Sequence, residues 1–317
     1  MRRSWALRLR IVASAAMLAI LFQKVHLSSL LPQWNARTFV LLAAGLVVTA
    51  VGIVLSALRW QTVLAAMGLR ARIRTLLNHY LAGLFVGNFL PSTIGGDVLR
   101  VARQAADNGD RPSTFASVVL ERLTGWLVLP VITLTALLIN PGLRELGTAT
   151  ALAFGLSVST LVLLVALLFA AAHPRVGGRL ATSEGWQRFL GAVHLGIDRF
   201  RRRPAAVVNV LLVGFAYQLV VVLSAFLAAR ALGLSEVGPT AILAFMPAVA
   251  IAQVLPISLG GLGVREGAFV LFLHPLGVAR GEAIALGLLF YGMNLAVSLL
   301  GAPSFAVGGK RRQPVAA

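Results

Sequence analysis

Apolar positions along this chain fall into long unbroken runs instead of the alternating or one-faced patterns of soluble strands and helices. Thr38 to Leu58 contains no Asp, Glu, Lys or Arg, and Leu146 to Ala172 is broken by nothing more polar than Ser and Thr. Each run reaches the ~20 residues that an α-helix needs to cross a bilayer. The pattern predicts six spanning helices: one running from Ile11 toward Leu31, then Thr38–Leu58, Ser113–Ile139, Thr148–Ala172, Ala205–Ala229 and Ile284–Ala302. The first follows Arg2, Arg3, Arg8 and Arg10, as a signal peptide would. No small-x-small cleavage site comes after it, so an uncleaved helix with Lys24 snorkelling is expected.

Two apolar pieces are too short for this scheme. Leu76 to Leu90 contains Asn78, His79 and Asn88, and Ala241 to Leu255 is followed, after a glycine-rich break, by a second short piece, Phe269 to Leu273. Their lengths suit re-entrant half-helices, whose irregular backbone is tolerated only around a polar cavity. Between them, Arg100 to Pro112 reads as a polar connection and Asn140-Pro141-Gly142 as a turn. His173 to Pro204 places Trp186, Phe189, Leu190, Val193, Ile197 and Phe200 at helical spacing among arginines. This is either an amphipathic surface helix or a plain connecting loop.

Composition agrees with the runs: 58% of the 317 residues are hydrophobic and 12% charged, with a mean hydropathy of +0.88. The expected fold is an all-α integral membrane bundle formed by residues 1–317 as one domain, about 10–302 being the membrane region, with basic tails and no appended aminoacyltransferase domain. Cysteine is absent, which removes thiol nucleophiles and thiolate metal sites. The five histidines form no metal-ligand spacing, and no cofactor or metal is expected.

A net charge of +18 would point to nucleic acid in a soluble chain. Its distribution gives another reason. Placing both termini and the segments Arg59–Thr75, Arg100–Pro112 and His173–Pro204 on one side gathers 21 of the 28 basic residues there, against five opposite. That is the positive-inside pattern, with N- and C-termini in the cytosol and no nucleic-acid partner required. An eight-span alternative, in which each short piece crosses once, equalises the two sides. Trp5, Trp34, Trp60 and Trp186 sit near predicted helix ends and read as interfacial anchors.

The two short regions share a motif. LPSTIGGDVLR (Leu90–Arg100) aligns without gaps on LPISLGGLGVR (Leu255–Arg265), with Leu-Pro, Gly-Gly and the closing Arg identical. The charge pattern puts them on opposite faces, as the broken helices of an inverted repeat would be. Proline stops a helix, paired glycines let backbone amides approach a ligand, and a half-helix starting there would aim N–H groups at an anion. The alternative is a chance match in a biased composition.

Ionisable residues at membrane depth add chemistry. Glu121 and Arg122 lie about 12 Å into their helix, and Arg265 and Glu266 follow the second Gly-Gly. Charges there cost about 2.5 to 3.5 kcal/mol each and usually line a cavity and pair. Neighbours on a helix point about 100° apart, so Glu121 and Arg122 each need another partner. Asp97 and Arg100 can supply one network, with Arg265 and Glu266 as its counterpart. The candidate substrate-binding residues are Gly95, Gly96, Asp97, Arg100, Glu121, Arg122, Gly260, Gly261, Arg265 and Glu266. Gly83-x-x-x-Gly87 is a further close-packing signal.

IGGDVLR, SVVLERLTG (Ser117–Gly125) and LPISLGGLGVREG (Leu255–Gly267), in that order, resemble the transmembrane-region family of bacterial lysylphosphatidylglycerol synthases, over about Arg10 to Ala302. The resemblance also covers Gly263 and Gly267, and implies handling of membrane lipids. In the lipid-modifying members this region is linked to translocation, while a separate cytosolic domain does the aminoacyl transfer. The expected function is therefore a flippase-like transporter of a phospholipid or polyprenyl-linked glycolipid, not an enzyme. A scaffold for a lipid-modifying enzyme such as a glycosyltransferase, docking on His173–Pro204, is the alternative. An intramembrane acid-base enzyme using Glu121 and Glu266 is a third. No GxxxxGK[ST] nucleotide loop is present, and nothing in the sequence fixes an oligomeric state.

Overall fold

The computed structural model describes residues 34–89, 95–173, 187–254 and 260–307. The predicted first helix with its arginines, Trp5, Trp186 and the basic C-terminal tail lie outside these residues, as do Leu90–Ile94 and Leu255–Leu259 of the repeated motif. Among the described residues there are eleven α-helices and no strands: α1 (Ala36–Ala66), α2 (Ile73–Phe89), α3 (Gly95–Asn108), α4 (Arg111–Ile139), α5 (Thr148–Ala172), α6 (Gln187–Arg201), α7 (Pro204–Ala231), α8 (Pro239–Ala252), α9 (Val264–Leu273), α10 (Arg280–Ser298) and α11 (Gly301–Val307). Five of them, α1, α4, α5, α7 and α10, are long and apolar enough to span a membrane. Leu163, Phe169 and Leu212 lie 60–75% exposed on their outer faces, as lipid-facing side chains do. The chain is an all-α, multi-pass membrane protein.

α1 and α7 pack antiparallel through small residues. Gly52 lies against Val220 and Tyr217, and the hydroxyls of Thr49 and Ser224 are 2.7 Å apart. Without a hydrophobic drive between helices in lipid, such close approach supplies the dispersion contact that holds the pair. The helix predicted to end at Leu58 runs on to Ala66. Its stop is Gly68, at φ +83°, with Leu69 N–H bonded to Leu64 O and Gly68 N–H to Ala65 O. This 6→1 and 5→2 pair closes the helix on a glycine.

Arg100 to Pro112 is mostly helix, not a polar connection. α3 turns a stripe of Gly96, Arg100 and Gln104 inward at i, i+4, i+8, with Val101 beside it, while Val98 and Ala102 lie exposed, so the helical period is present but its polar side faces the bundle. α2 and α3 form an antiparallel hairpin, with Gly83 and Gly87 both facing Gly96. It enters from the end of the bundle that holds Ala66 and Asn108. α8 and α9 form a second hairpin, with the Phe245 and Phe272 rings stacked 5.3 Å apart. It enters from the other end, where Asn140 Nδ2 donates to Thr240 Oγ1 at 2.9 Å and Thr133 Oγ1 to Ala244 O at 2.8 Å.

The basic stretch after α5 contains a helix, α6, whose apolar side docks on protein. Val193 is fully buried, and Gly196 leaves room for the Leu120 side chain of α4. Arg199 and Arg203 donate to the Met67 and Ala65 carbonyls, each at 2.9 Å, and so satisfy the C-terminal end of α1.

Candidate functional site

The inner face of the α2–α3 hairpin meets α1 and α4 in a cluster of five charges. Glu121, 1% exposed, is its centre. Arg59 Nη2 donates to Glu121 Oε1 at 3.0 Å, and Arg100 Nη2 donates to Glu121 Oε2. Arg100 Nη1 also reaches Asp97 Oδ1 at 3.3 Å, and Asp97 Oδ2 accepts from Arg122 Nε at 2.7 Å. As the 100° offset requires, Glu121 and Arg122 point to different partners, and the four residues expected in one network are in one network.

Arg59 is the member that sequence reading missed. As the first charge after an apolar run it looks like a helix terminator at the interface, yet it lies within α1 and is 6% exposed. Gly125 makes its place: a Cβ there would come within 2.8 Å of Arg59 Nη1. Trp60 corrects the anchor assignment in the same way. Its ring is fully buried, its Nε1–H donates to Ser117 Oγ at 3.0 Å, and the Arg100 guanidinium lies between the Trp60 and Tyr80 rings, 4.3 Å from each centroid. Trp34, just before α1, is 60% exposed.

Three cations face two anions in this cluster, and its donors are not all used. Arg59 Nε and Nη1 and Arg100 Nε are buried without a hydrogen-bond partner. Unsatisfied buried donors are costly, so a cationic site of this kind favours an incoming oxyanion. Arg122, with its side chain 48% exposed, is the accessible member.

The second cluster is smaller and closed. Arg265 and Glu266 pair with each other, Nη2 to Oε1 at 2.6 Å, and Arg265 lies over the Tyr291 ring at 4.6 Å. Glu266 Oε2 accepts from Gly263 N at 2.6 Å, so the carboxylate caps the start of its own helix. At this helix start a carboxylate of the chain already holds the N-cap amide.

The shared Gly-Gly has two different jobs. Gly95 and Gly96 are helical in α3, and a Cβ on Gly96 would overlap the Gly83 carbonyl oxygen, so glycine serves close approach. Gly260, Gly261 and Gly263 form a turn before α9 with φ of +60°, +80° and +85°, so there glycine serves backbone conformation. Gly95 and Gly96 are already helical in the first motif, whereas the aligned Gly260 and Gly261 lie in the turn that precedes the helix starting at Val264. Arg100 therefore reaches to another helix, while Arg265 folds onto its neighbour.

Between the clusters lies a cavity of about 60 Å³ whose lining includes Thr49, Ser56, Tyr80, Tyr217, Ser224 and Asn294. Tyr217 carries Arg59 at 4.9 Å from its ring, Tyr80 carries Arg100, and Asn294 lies one turn beyond Tyr291 on α10. The Ser56 hydroxyl, fully buried, has no partner. Among the described residues no group of three or more His, Asp or Glu is placed to hold a metal ion.

The sequence pattern of the family described as lysylphosphatidylglycerol synthase TM region matches residues 5–301, and the chain belongs to that family. No curated protein is significantly similar to it.

Proposed function

We propose that this member of the lysylphosphatidylglycerol synthase TM-region family moves a phosphate-bearing lipid, a phospholipid or a polyprenyl-linked glycolipid, between leaflets of a cytoplasmic membrane. The observation that carries the reading is the Arg59–Glu121–Arg100 cluster with its Asp97–Arg122 extension, cationic in sum and short of hydrogen-bond acceptors. Replacing the water around a lipid phosphate needs pre-arranged donors in a low-dielectric place, and guanidinium groups match phosphate geometry. The Glu121 and Asp97 carboxylates hold those guanidiniums in position and offer anionic partners to a cationic headgroup.

In this reading the two hairpins are re-entrant, reach in from opposite faces and approach each other at mid-depth. The hydroxyl-lined cavity between them is the occluded middle of the route, widened when a headgroup passes. Such an arrangement of broken helices entering from both sides supports alternating access. The basic end of the bundle faces the cytosol, following the arginine distribution. Gly260 and Gly261 shape the turn that lets the Arg265–Glu266 pair act as the outer gate, and no catalytic step is assigned to any residue.

Reconstitution into liposomes with headgroup-labelled phosphatidylglycerol, phosphatidylcholine and a polyprenyl phosphate, scored for leaflet exchange, tests the reading. Exchange of at least one phosphate lipid that Arg122→Gln abolishes is the expected result. Absence of exchange for every lipid, with function lost instead on deleting 187–203, would favour a scaffold for a lipid-modifying enzyme.

A further inference from the structure

A groove of about 520 Å³ opens on the flank of the bundle between α4, α5 and α7, bounded at the basic end by α6. Its volume falls within the usual range of ligand cavities. The wall is aliphatic and aromatic, with Leu127, Leu164, Leu168, Phe200 and Val208 contributing from four helices. The Thr124 hydroxyl in the wall is already bonded to Leu120 O at 2.8 Å. From Ala172 to Leu164 and from Pro204 to Leu211 the groove runs about 10 to 12 Å along the helix axes.

Charge enters at one end only. Arg201 is the one charged lining residue, at the last turn of α6. Its neighbours are committed: Arg199 and Arg203 bond the α1 carbonyls, and Arg202 pairs with Asp198 at 3.4 Å. Arg201 is exposed and has no hydrogen-bond or ion-pair partner among the described residues. Leu120, Leu123 and Leu127 turn toward the groove, while Glu121 points to Arg59 and Arg100. The groove and the ionic cluster thus occupy different faces of α4.

We propose that this groove holds an anionic phospholipid, with one acyl chain between α4, α5 and α7 and its phosphate on Arg201. The occupant must be apolar over the full depth of the groove and negative at the end where α6 lies, and an anionic membrane lipid has that polarity. A neutral chain leaves Arg201 unmatched. A second copy of the protein must bury that guanidinium against an acidic group to match it. The bound lipid joins α6 to α4, α5 and α7, and so steadies the helix whose arginines close the end of α1. This site is independent of the transport reading.

The test uses the full chain in detergent, stripped of lipid and titrated with dioleoyl-phosphatidylglycerol or dioleoyl-phosphatidylcholine, with bound lipid counted by native mass spectrometry. Both lipids have the same tails, so their difference reports the headgroup. One phosphatidylglycerol per chain, beyond any held at the Arg59–Glu121–Arg100 cluster, should bind in preference, and Arg201→Gln should weaken it about fivefold, to the level of phosphatidylcholine. Val208→Trp, at an exposed lining position, should remove that bound lipid for both headgroups. Equal affinity for the two lipids in the native chain overturns the proposal, as does phosphatidylglycerol binding that neither variant alters. A Val208→Trp variant that changes oligomeric state while keeping its lipid overturns it too, and gives the groove to a second copy.

Discussion

The two hairpins bear the same Leu-Pro, Gly-Gly, Arg letters and use them differently. At the α2–α3 hairpin, glycine lets two helices touch, and Arg100 extends across to Glu121 in a cluster that keeps an extra cation and unused donors. At the α8–α9 hairpin, glycine turns the backbone, and Arg265 is neutralised by Glu266 beside it. The contrast separates a cluster with more cations than anions and with unused donors from a pair that neutralises itself. It also shows that a motif can repeat in sequence while its helix register and electrostatics do not.

The largest effect expected from this contrast is at Glu121. Glu121→Ala leaves Arg59 and Arg100 buried without their shared counter-charge, and should cost about 3 to 5 kcal/mol. Thermal unfolding in detergent would register it as a much lower Tm. Next is close approach. Gly96→Ala forces the α2–α3 hairpin apart and should cost about 1 to 3 kcal/mol, as overpacking does. Gly267→Ala, where a Cβ meets nothing within 4 Å, should be neutral or stabilising by up to about 1 kcal/mol. Equal losses at the two glycines would erase the distinction.

Smaller still is the joint change Arg265→Met with Glu266→Gln. It removes both members of the closed pair and keeps an acceptor for Gly263 N–H, so stability should move by less than about 1.5 kcal/mol. Arg265→Met alone should cost more, because Glu266 then stays buried without its cation; the two unfolding curves settle the order. Among the charged residues the smallest effect on stability is at Arg122, whose half-exposed pairing with Asp97 is worth about 1 kcal/mol or less. Its effect on transport should be the greatest of the set.

Much of the fold could be read from apolar runs because lipid-facing helices announce themselves by length. α5 occupies Thr148–Ala172 as the run of apolar residues predicts, and it is among the least buried spans. Interior helices were harder to read. α3 hides a polar stripe inside, which inverts the pattern that marks a buried face, and α1 continues eight residues past Leu58 because Arg59 and Trp60 find partners within the bundle. Of the ionic cluster, Glu121 and Arg122 were visible as charges at depth, and Asp97 and Arg100 as the charges that follow the first Gly-Gly. Arg59 was not, since a charge at the end of an apolar run has the same signature whether it stops the helix or enters a site. One clue was available in SVVLERLTG: Gly125 lies one turn beyond Glu121 and leaves the space that Arg59 fills.

Leaflet exchange of labelled phosphatidylglycerol by the reconstituted chain, compared with Arg122→Gln at matched Tm, tests the central claim most directly. The account predicts exchange in the native chain and its loss in the variant, with unfolding unchanged. Equal exchange rates in the two proteins, or none in either, would contradict it.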